Sequence, residues 1–336
     1  MSVVNIHPGF RLILPYLKPI ANLILDPEIS EIMLNSPTDI FIEKQGVIEQ
    51  VPGITIPTDQ LRVAVQNIAR SLGDDISEEK PILDSRLPDG SRIAAVLPPL
   101  SIHGITLTIR KFNTRNFTIE DLVRIGTITE ATATYLKNAI IDRKNILISG
   151  GTGTGKTTLL NILADFIPDE DRLVVIEDTA ETHIRKPNLV RFEARRQQGP
   201  RIPAVTIRDL LKASLRHRPE RTILGEIRGE EAFDLLQALN TGHSGSLSTI
   251  HANSATQALS RLANCVLQSG IELPYKAIKA SIADSIHLLV HIERRQARRY
   301  ISEILAIQSY SPADDAYRLE TIFNCNRENS SQESLK

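Results

Sequence analysis

Eight consecutive residues carry the clearest chemistry in this sequence: Gly150-Gly151-Thr152-Gly153-Thr154-Gly155-Lys156-Thr157. They satisfy G-x-x-x-x-G-K-[ST], whose glycines let the backbone curl until successive N–H groups face phosphate oxygens. A helix beginning at the end of the run adds its dipole. Lys156 then brings a point charge to the terminal phosphates, and the Thr157 hydroxyl is a ligand for Mg²⁺. Gly151, Thr152, Gly153, Thr154, Gly155, Lys156, Thr157 and Thr158 are therefore candidate nucleotide-binding residues. A tight strand-to-helix corner would explain the glycines but not the lysine–threonine pair.

Hydrolysis of a bound triphosphate needs a group that orients water and a cation that spreads charge. Glu226 closes the apolar run Thr222-Ile223-Leu224-Gly225. Gly225 stands where an aspartate is usual, which points to Glu226 acting on the water. Glu177 follows Leu173-Val174-Val175-Ile176, with Asp178 and Glu181 close behind. Glu177 is a second candidate for the water and, beside Thr157, for the metal. His251, at the end of Ser248-Thr249-Ile250, is placed to hydrogen-bond a γ-phosphate; His243 has a weaker case. For the carboxylates the alternative is a solvated strand end, and for His251 a structural bridge. No histidine pair has H-E-x-x-H spacing, so no protein-held zinc is expected.

These groups meet only if the elements bearing them end on one edge of one sheet. From Asn145 to Leu267, short β-branched runs alternate with helical ones, as in an α/β domain with a mainly parallel sheet. In such sheets ligands bind at the carboxyl ends of the strands, where Gly150, Glu177, Glu226 and His251 would all fall. Ser285–Arg295, Arg299–Gln308 and Tyr317–Phe323 read as closing strands. Ahead of this, alternating runs between residues 31 and 111 and a helix over Thr58–Leu72, N-capped by Thr58, indicate a smaller α+β domain. The expected organisation is a first domain over 1–111, a linker over 112–117, an ATPase domain over 118–325 and a frayed tail over 326–336. Phe10–Leu25 is apolar but broken by Pro15 and Pro19. With Arg11 and Lys18 its only charges, it reads as a short entry helix packed on the first domain rather than a lipid contact.

Bulk properties narrow the partners. The 336 residues are 41% hydrophobic and 24% charged, a globular balance. Aromatics are 4% with no Trp, and the net charge is -1, which argues against a stacking platform or a long-range field for nucleic acid. Cys265 and Cys325 form no disulfide framework, so a reducing compartment is expected. No apolar run is long enough to cross a bilayer, so we expect a cytoplasmic protein able to dock on a membrane complex.

Together these elements resemble the hexameric ATPases of type II and type IV secretion systems and of pilus machines, most of all the CpaF and TrbB branch serving Tad pili and conjugation. The resemblance spans roughly Leu25 to Phe323. It rests on Glu31-Ile32-Met33-Leu34-Asn35, Phe41-Ile42-Glu43, Leu87-Pro88-Asp89-Gly90-Ser91-Arg92, Leu107-Thr108-Ile109-Arg110-Lys111, Gly150–Leu160, Thr206–Leu210 and Leu239–Asn253. It makes Glu177–Glu181 an Asp box and Gly245–Asn253 a His box, and the family shares the glycine before the glutamate. It implies a PAS-like N-terminal domain, a RecA-like ATPase domain with nucleotide between them, and a ring of six. It further implies arginines that complete the site, here Arg92 and Arg110, and Arg195 and Arg196 on the strand after the Asp box. CpaF proteins usually carry a long extension where only a short segment precedes Leu25, which shifts the expectation toward conjugation or a related type IV machine.

The leading expectation is a motor that hydrolyses ATP with Mg²⁺ and passes the motion to inner-membrane secretion or pilus proteins, without binding nucleic acid itself. A nucleotide-dependent scaffold is weakened by the hydrolytic carboxylate. A helicase-like motor is kept in view by Arg294-Arg295, Arg298-Arg299, Arg216, Arg218 and Arg221.

Overall fold

The computed structural model describes residues 8–44, 46–112, 117–195, 197, 202–296 and 298–325. The chain forms two compact units, Met1–Arg115 and Asn116–Lys336. The expected linker lies mostly, and the expected tail wholly, outside the described residues.

In the first unit, strands β1 (Ile29–Ser36), β2 (Asp39–Lys44), β3 (Val47–Gln50), β4 (Ile82–Arg86), β5 (Arg92–Val96) and β6 (Thr106–Arg110) form one antiparallel sheet, ordered β3-β2-β1-β6-β5-β4. Alternate residues such as Ile32, Leu34, Ile40, Ile93, Leu107 and Ile109 bury one face. Helices α1 (Pro8–Arg11), α2 (Ala21–Leu25) and α3 (Thr58–Ser71) accompany it. The entry segment packs as expected, with Ile13, Leu17, Ile20 and Ile24 in the same core as Leu61, Val65 and Ile68 of α3. Thr58 is not the cap of α3. It is already helical, Pro57 precedes it, and no side chain caps that end. β4 escaped sequence reading because it is an edge strand with one buried residue, Leu83.

In the second unit, helices α4 (Ile119–Arg124) and α5 (Glu130–Ile141) precede strand β7 (Ile146–Gly150). Helix α6 (Lys156–Ala164), β8 (Leu173–Glu177), β9 (Leu189–Glu193), α7 (Ile207–Ser214), β10 (Arg221–Ile227), α8 (Glu231–Asn240), β11 (Leu247–His251) and α9 (Ala255–Leu267) follow. Helix α10 (Tyr275–Ser285) and strands β12 (Leu288–Arg295), β13 (Arg298–Ser311) and β14 (Ala316–Asn324) close it. The sheet order is β14-β13-β12-β7-β11-β10-β8-β9. Pairings from β12 through β9 are parallel, and only β12–β13 and β13–β14 are antiparallel. Both faces are covered. Val174 and Ile176 of β8 join one apolar cluster, while Leu173 and Val175 join the other. Two expectations need correction. Ser285 ends α10 instead of beginning a strand, and the strand after the Asp box stops at Glu193, short of Arg195.

A buried polar knot pins the lower end of this sheet. Arg221 is 1% exposed; its Nε donates to Asp171 Oδ2 at 2.6 Å and its Nη1 to the Ile140 carbonyl at 2.6 Å. Arg143 reaches the other Asp171 oxygen at 2.6 Å. Burial pushes the Asp171 carboxyl up, and the guanidiniums more than offset it, leaving it below its ordinary value. We expect Asp171→Asn to cost about 3–5 kcal/mol, because it strands a buried guanidinium. Chemical denaturation at neutral pH reads that difference. Since the folded carboxyl is depressed, the Asp171 contribution is full above its unfolded value, and the gap between wild type and variant narrows as pH falls through the folded one.

Candidate active site

The phosphate cradle is local in sequence and in space. β7 ends at Gly150, and α6 begins at Lys156. Gly153 and Gly155 have φ of 69° and 100°, left-handed values that side chains strain to adopt. Gly150 is required for another reason: a Cβ there would lie 2.4 Å from the Ile292 carbonyl of β12. Helices α4, α5, α7 and α9 are capped by Thr118, Thr129, Thr206 and Ser254, whereas α6 follows Gly155 with no side-chain cap. The first N–H groups of α6 therefore face the loop, as an anion site requires. Thr157 and Thr158 lie in this first turn. Lys156 is 8% exposed, with Nζ 3.1 Å from the Gly150 carbonyl and 2.7 Å from that of Gly151. Burial pushes its ammonium below the ordinary lysine value, although Glu226 pulls the other way.

Register brings the next groups in. His251 of β11 pairs with Gly150 of β7, so the end of the His-box strand stands beside the start of the cradle. Lys156 Nζ lies 3.5 Å from His251 Nδ1, and His251 Nε2 lies 3.2 Å from Glu226 Oε1. Burial and the Lys156 ammonium push the His251 pKa down against the pull of Glu226, and so favour the neutral ring. A carboxylate can only accept, so a hydrogen bond between the two would need the Nε2–H tautomer of His251.

Glu226 owes its direction to a β-bulge. Opposite β11, Leu224 pairs with Ser248 and Ile227 with Ile250, so β10 spends three residues where β11 spends two. Leu224 and Ile227 both enter the apolar cluster beneath α8 and α9. Strict alternation would have sent Glu226 to that face; the extra residue releases it toward Lys156 and His251. Gly225 is explained too: a Cβ there would sit 3.0 Å from Glu177 Cγ, and an aspartate would add a like charge. Burial raises the Glu226 pKa, but Arg228 and, less, Lys156 hold it below the usual carboxylate range.

Glu177 has a structural task as well. It is 2% exposed, and its carboxylate accepts from Glu181 N, Thr182 N and Thr182 Oγ1 at 2.8–2.9 Å, and from Arg191 Nη2 at 3.1 Å. With both oxygens engaged, it staples the Asp box. Asp178 and Glu181 lie on the stapled loop, and the Glu181 charge is felt at Lys156. Among the described residues no cluster of three His, Cys, Asp or Glu is arranged to hold a metal. The donor set suits an ion bound by the Thr157 hydroxyl and by phosphate oxygens, the usual habit of Mg²⁺.

The candidate arginines have partners within their own units. Arg92 and Arg110 face each other across β5 and β6 in the first unit, where Arg92 Nη2 is 3.2 Å from Asp84. Arg195 forms an isolated bridge with Val205, and its guanidinium donates to the Pro203 carbonyl. Arg196 lies outside the described residues. His243 holds the Ala238 carbonyl at the end of α8, a structural role.

Three residues went unread in the sequence. Arg228 joins Glu226 to Asp178, and its i, i+2 spacing from Glu226 was the available signal. Buried His291 meets Ser149 Oγ at 2.8 Å behind the cradle. Asn145 Oδ1 accepts the amides of Gly245 and Ser246 while its Nδ2 donates to the Ser285 carbonyl, tying three chain segments together.

A RecA-like α/β sheet with this cradle at its carboxyl edge defines a P-loop ATPase. A model of the type II/IV secretion system protein family matches residues 16–330. The conjugal transfer protein TrbB of Rhizobium radiobacter is 38% identical over 290 residues, covering 85% of each chain. VirB11, a type IV secretion system protein of Brucella suis, is 32% identical over 322 residues, covering 86% of this chain and 88% of that one. The chain belongs to the type II/IV secretion system protein family. Two solved structures share its fold. The ATPase DotB of Legionella pneumophila matches with a TM-score of 0.62 at 20% identity over 87% of this chain and 80% of that one. The ADP-bound pilus retraction motor PilT matches with a TM-score of 0.60 at 19% identity over 95% and 88%.

Proposed function

We propose that this ATPase powers a type IV secretion or conjugation machine, working as a homo-hexameric ring against membrane proteins on the cytoplasmic face. The observation that carries the chemistry is the meeting of Lys156, His251 and Glu226 beside the phosphate cradle. The loop amides and Lys156 hold the phosphates. Mg²⁺, when bound through Thr157, neutralises phosphate charge. Glu226, ionised and held by Arg228, orients the water and takes up its proton. Neutral His251 reports on the γ-phosphate by trading its Glu226 contact for a phosphate oxygen. The Asp-box carboxylates, Glu177 with Asp178 and Glu181, are the acids at the second strand end that could hold hydrated Mg²⁺ or the water. The machine is chosen from the kinship with TrbB and VirB11, proteins named for conjugal transfer and type IV secretion.

In a ring, Arg92, Arg110 and Arg195 are the guanidiniums available to complete a neighbouring copy's site. Specific activity should then rise with protein concentration and level off as rings form, as read by phosphate release alongside analytical ultracentrifugation. Chelating Mg²⁺ should bring release to the buffer level. A rate independent of concentration across the range where assemblies dissociate would count against shared sites. Hydrolysis driven by DNA and weakened by salt would instead favour a nucleic-acid motor.

A further inference from the structure

Arg228 lies just past the end of β10 and reaches two acids on different elements. Its Nη2 is 2.9 Å from Glu226 Oε2, and its Nη1 is 3.0 Å from Asp178 Oδ2 on the loop after β8. The backbone it springs from is anchored as well. Buried Glu231 accepts the amides of Arg228 and Gly229 on one oxygen, at 2.5 and 3.0 Å. The opposite oxygen of Glu226, Oε1, faces His251 Nε2.

We propose that Arg228 is a positioning residue for hydrolysis: its fork ties the Asp-box loop to Glu226 and holds the carboxylate with Oε1 turned toward Lys156 and His251. The inference rests on Glu226 being the water-orienting group. A glutamate has three side-chain torsions, and a carboxylate free at both oxygens samples many directions. Pinning Oε2 leaves one working oxygen in one direction, the preorganisation on which orientation effects depend. An arginine suits the task because its planar fork engages two carboxylates at once, where a lysine offers a single point. The guanidinium is 55% exposed, so the pair adds little to stability and its value is geometric.

The same fork governs ionisation. The charged groups facing Glu226 are Arg228 at its own strand end and Lys156 from α6, with the titratable ring of His251 from β11 beside them. Arg228 is faced in turn by Asp178 and Glu181, and His251 by Arg261 from α9. Burial pushes the Glu226 carboxyl up, and Arg228 is the largest influence holding it down. Without the guanidinium the carboxyl protonates at higher pH, so the acid limb of activity moves upward.

The test uses the full chain with Arg228→Gln, Arg228→Lys, Asp178→Asn and Glu226→Gln. Readouts are kcat, KM for ATP, the pH dependence of kcat, and binding of a non-hydrolysable ATP analogue. We expect Arg228→Gln to lower kcat roughly 10- to 100-fold, the usual cost of losing a group that orients a working residue. Analogue affinity should hold, and the acid limb should move to higher pH. Arg228→Lys should return the limb toward wild type while kcat stays low, because charge is restored and the fork is not. Asp178→Asn should lower kcat by a smaller factor and carries the test if the Arg228 variants do not fold. Wild-type kcat and an unmoved limb in Arg228→Gln, with Glu226→Gln inactive, would overturn this inference alone. Lost analogue affinity would also overturn it, by making Arg228 a nucleotide ligand. A fully active Glu226→Gln would overturn the reading of Glu226 and this inference together.

Discussion

Lys156→Ala abolishes nucleotide binding and, with it, phosphate release. The ammonium is nearly enclosed and lies within hydrogen-bond reach of the Gly150 and Gly151 carbonyls, at the mouth of the cradle that the terminal phosphates enter. Charge placed there acts with little water to screen it. Removing one such preorganised donor costs roughly 10²–10³-fold in turnover, and the loss of ground-state binding adds to that. The same variant should leave the folded state intact without nucleotide. Burial depresses the Lys156 ammonium, so the folded protein carries that charge at a cost that alanine removes. Equilibrium binding of ADP and ATP, phosphate release and a thermal melt together check the claim. Retained affinity would dismantle the account of the site, and a much lower melting point would show that Lys156 is a structural residue.

Glu226→Gln should separate binding from chemistry. Glutamine keeps the shape and its one carbonyl oxygen can still accept from Arg228, but its amide end only donates and it cannot take a proton from water. Loss of a positioned general base costs roughly 10²–10⁴-fold. We therefore expect kcat to fall within that range while ATP affinity stays close to wild type, because the cradle is untouched. A drop in affinity with little change in kcat would reassign Glu226 to binding. In wild type, kcat should fall on acidification as the depressed Glu226 carboxyl takes up a proton. That limb should vanish in the variant, and single-turnover rates at several pH values would show it.

Legibility in the sequence followed the distance over which each feature is fixed. The alternation of β7, α6, β8, β10, α8, β11 and α9 was readable because each element carries its own period. Elements without a clean period were missed. β4 buries one side chain on an edge, and β9, with half-exposed residues after Pro187, was expected only through the family resemblance. α10 was not read at all, although Ile278 and Ile282 stand four apart after Pro274, and only its last residue, Ser285, was taken up, as the start of the following strand. Of the arginines at 294–299 that kept a nucleic-acid motor in view, Arg299 touches the cradle, its Nε donating to the Gly153 carbonyl at 3.1 Å.

By itself the sequence determined the phosphate cradle. Eight contiguous residues contain both the glycines that permit the turn and the lysine that uses it, so no distant contact is needed to shape it. Only the tertiary structure decided which carboxylate joins that cradle. Glu177 and Glu226 read alike as acids at strand ends. Four donors from residues 181, 182 and 191 engage the first, and a bulge against β11 turns the second toward Lys156. Side-chain direction and hydrogen-bond saturation depend on which strands lie side by side, and pairing between segments tens of residues apart leaves no local mark in the chain.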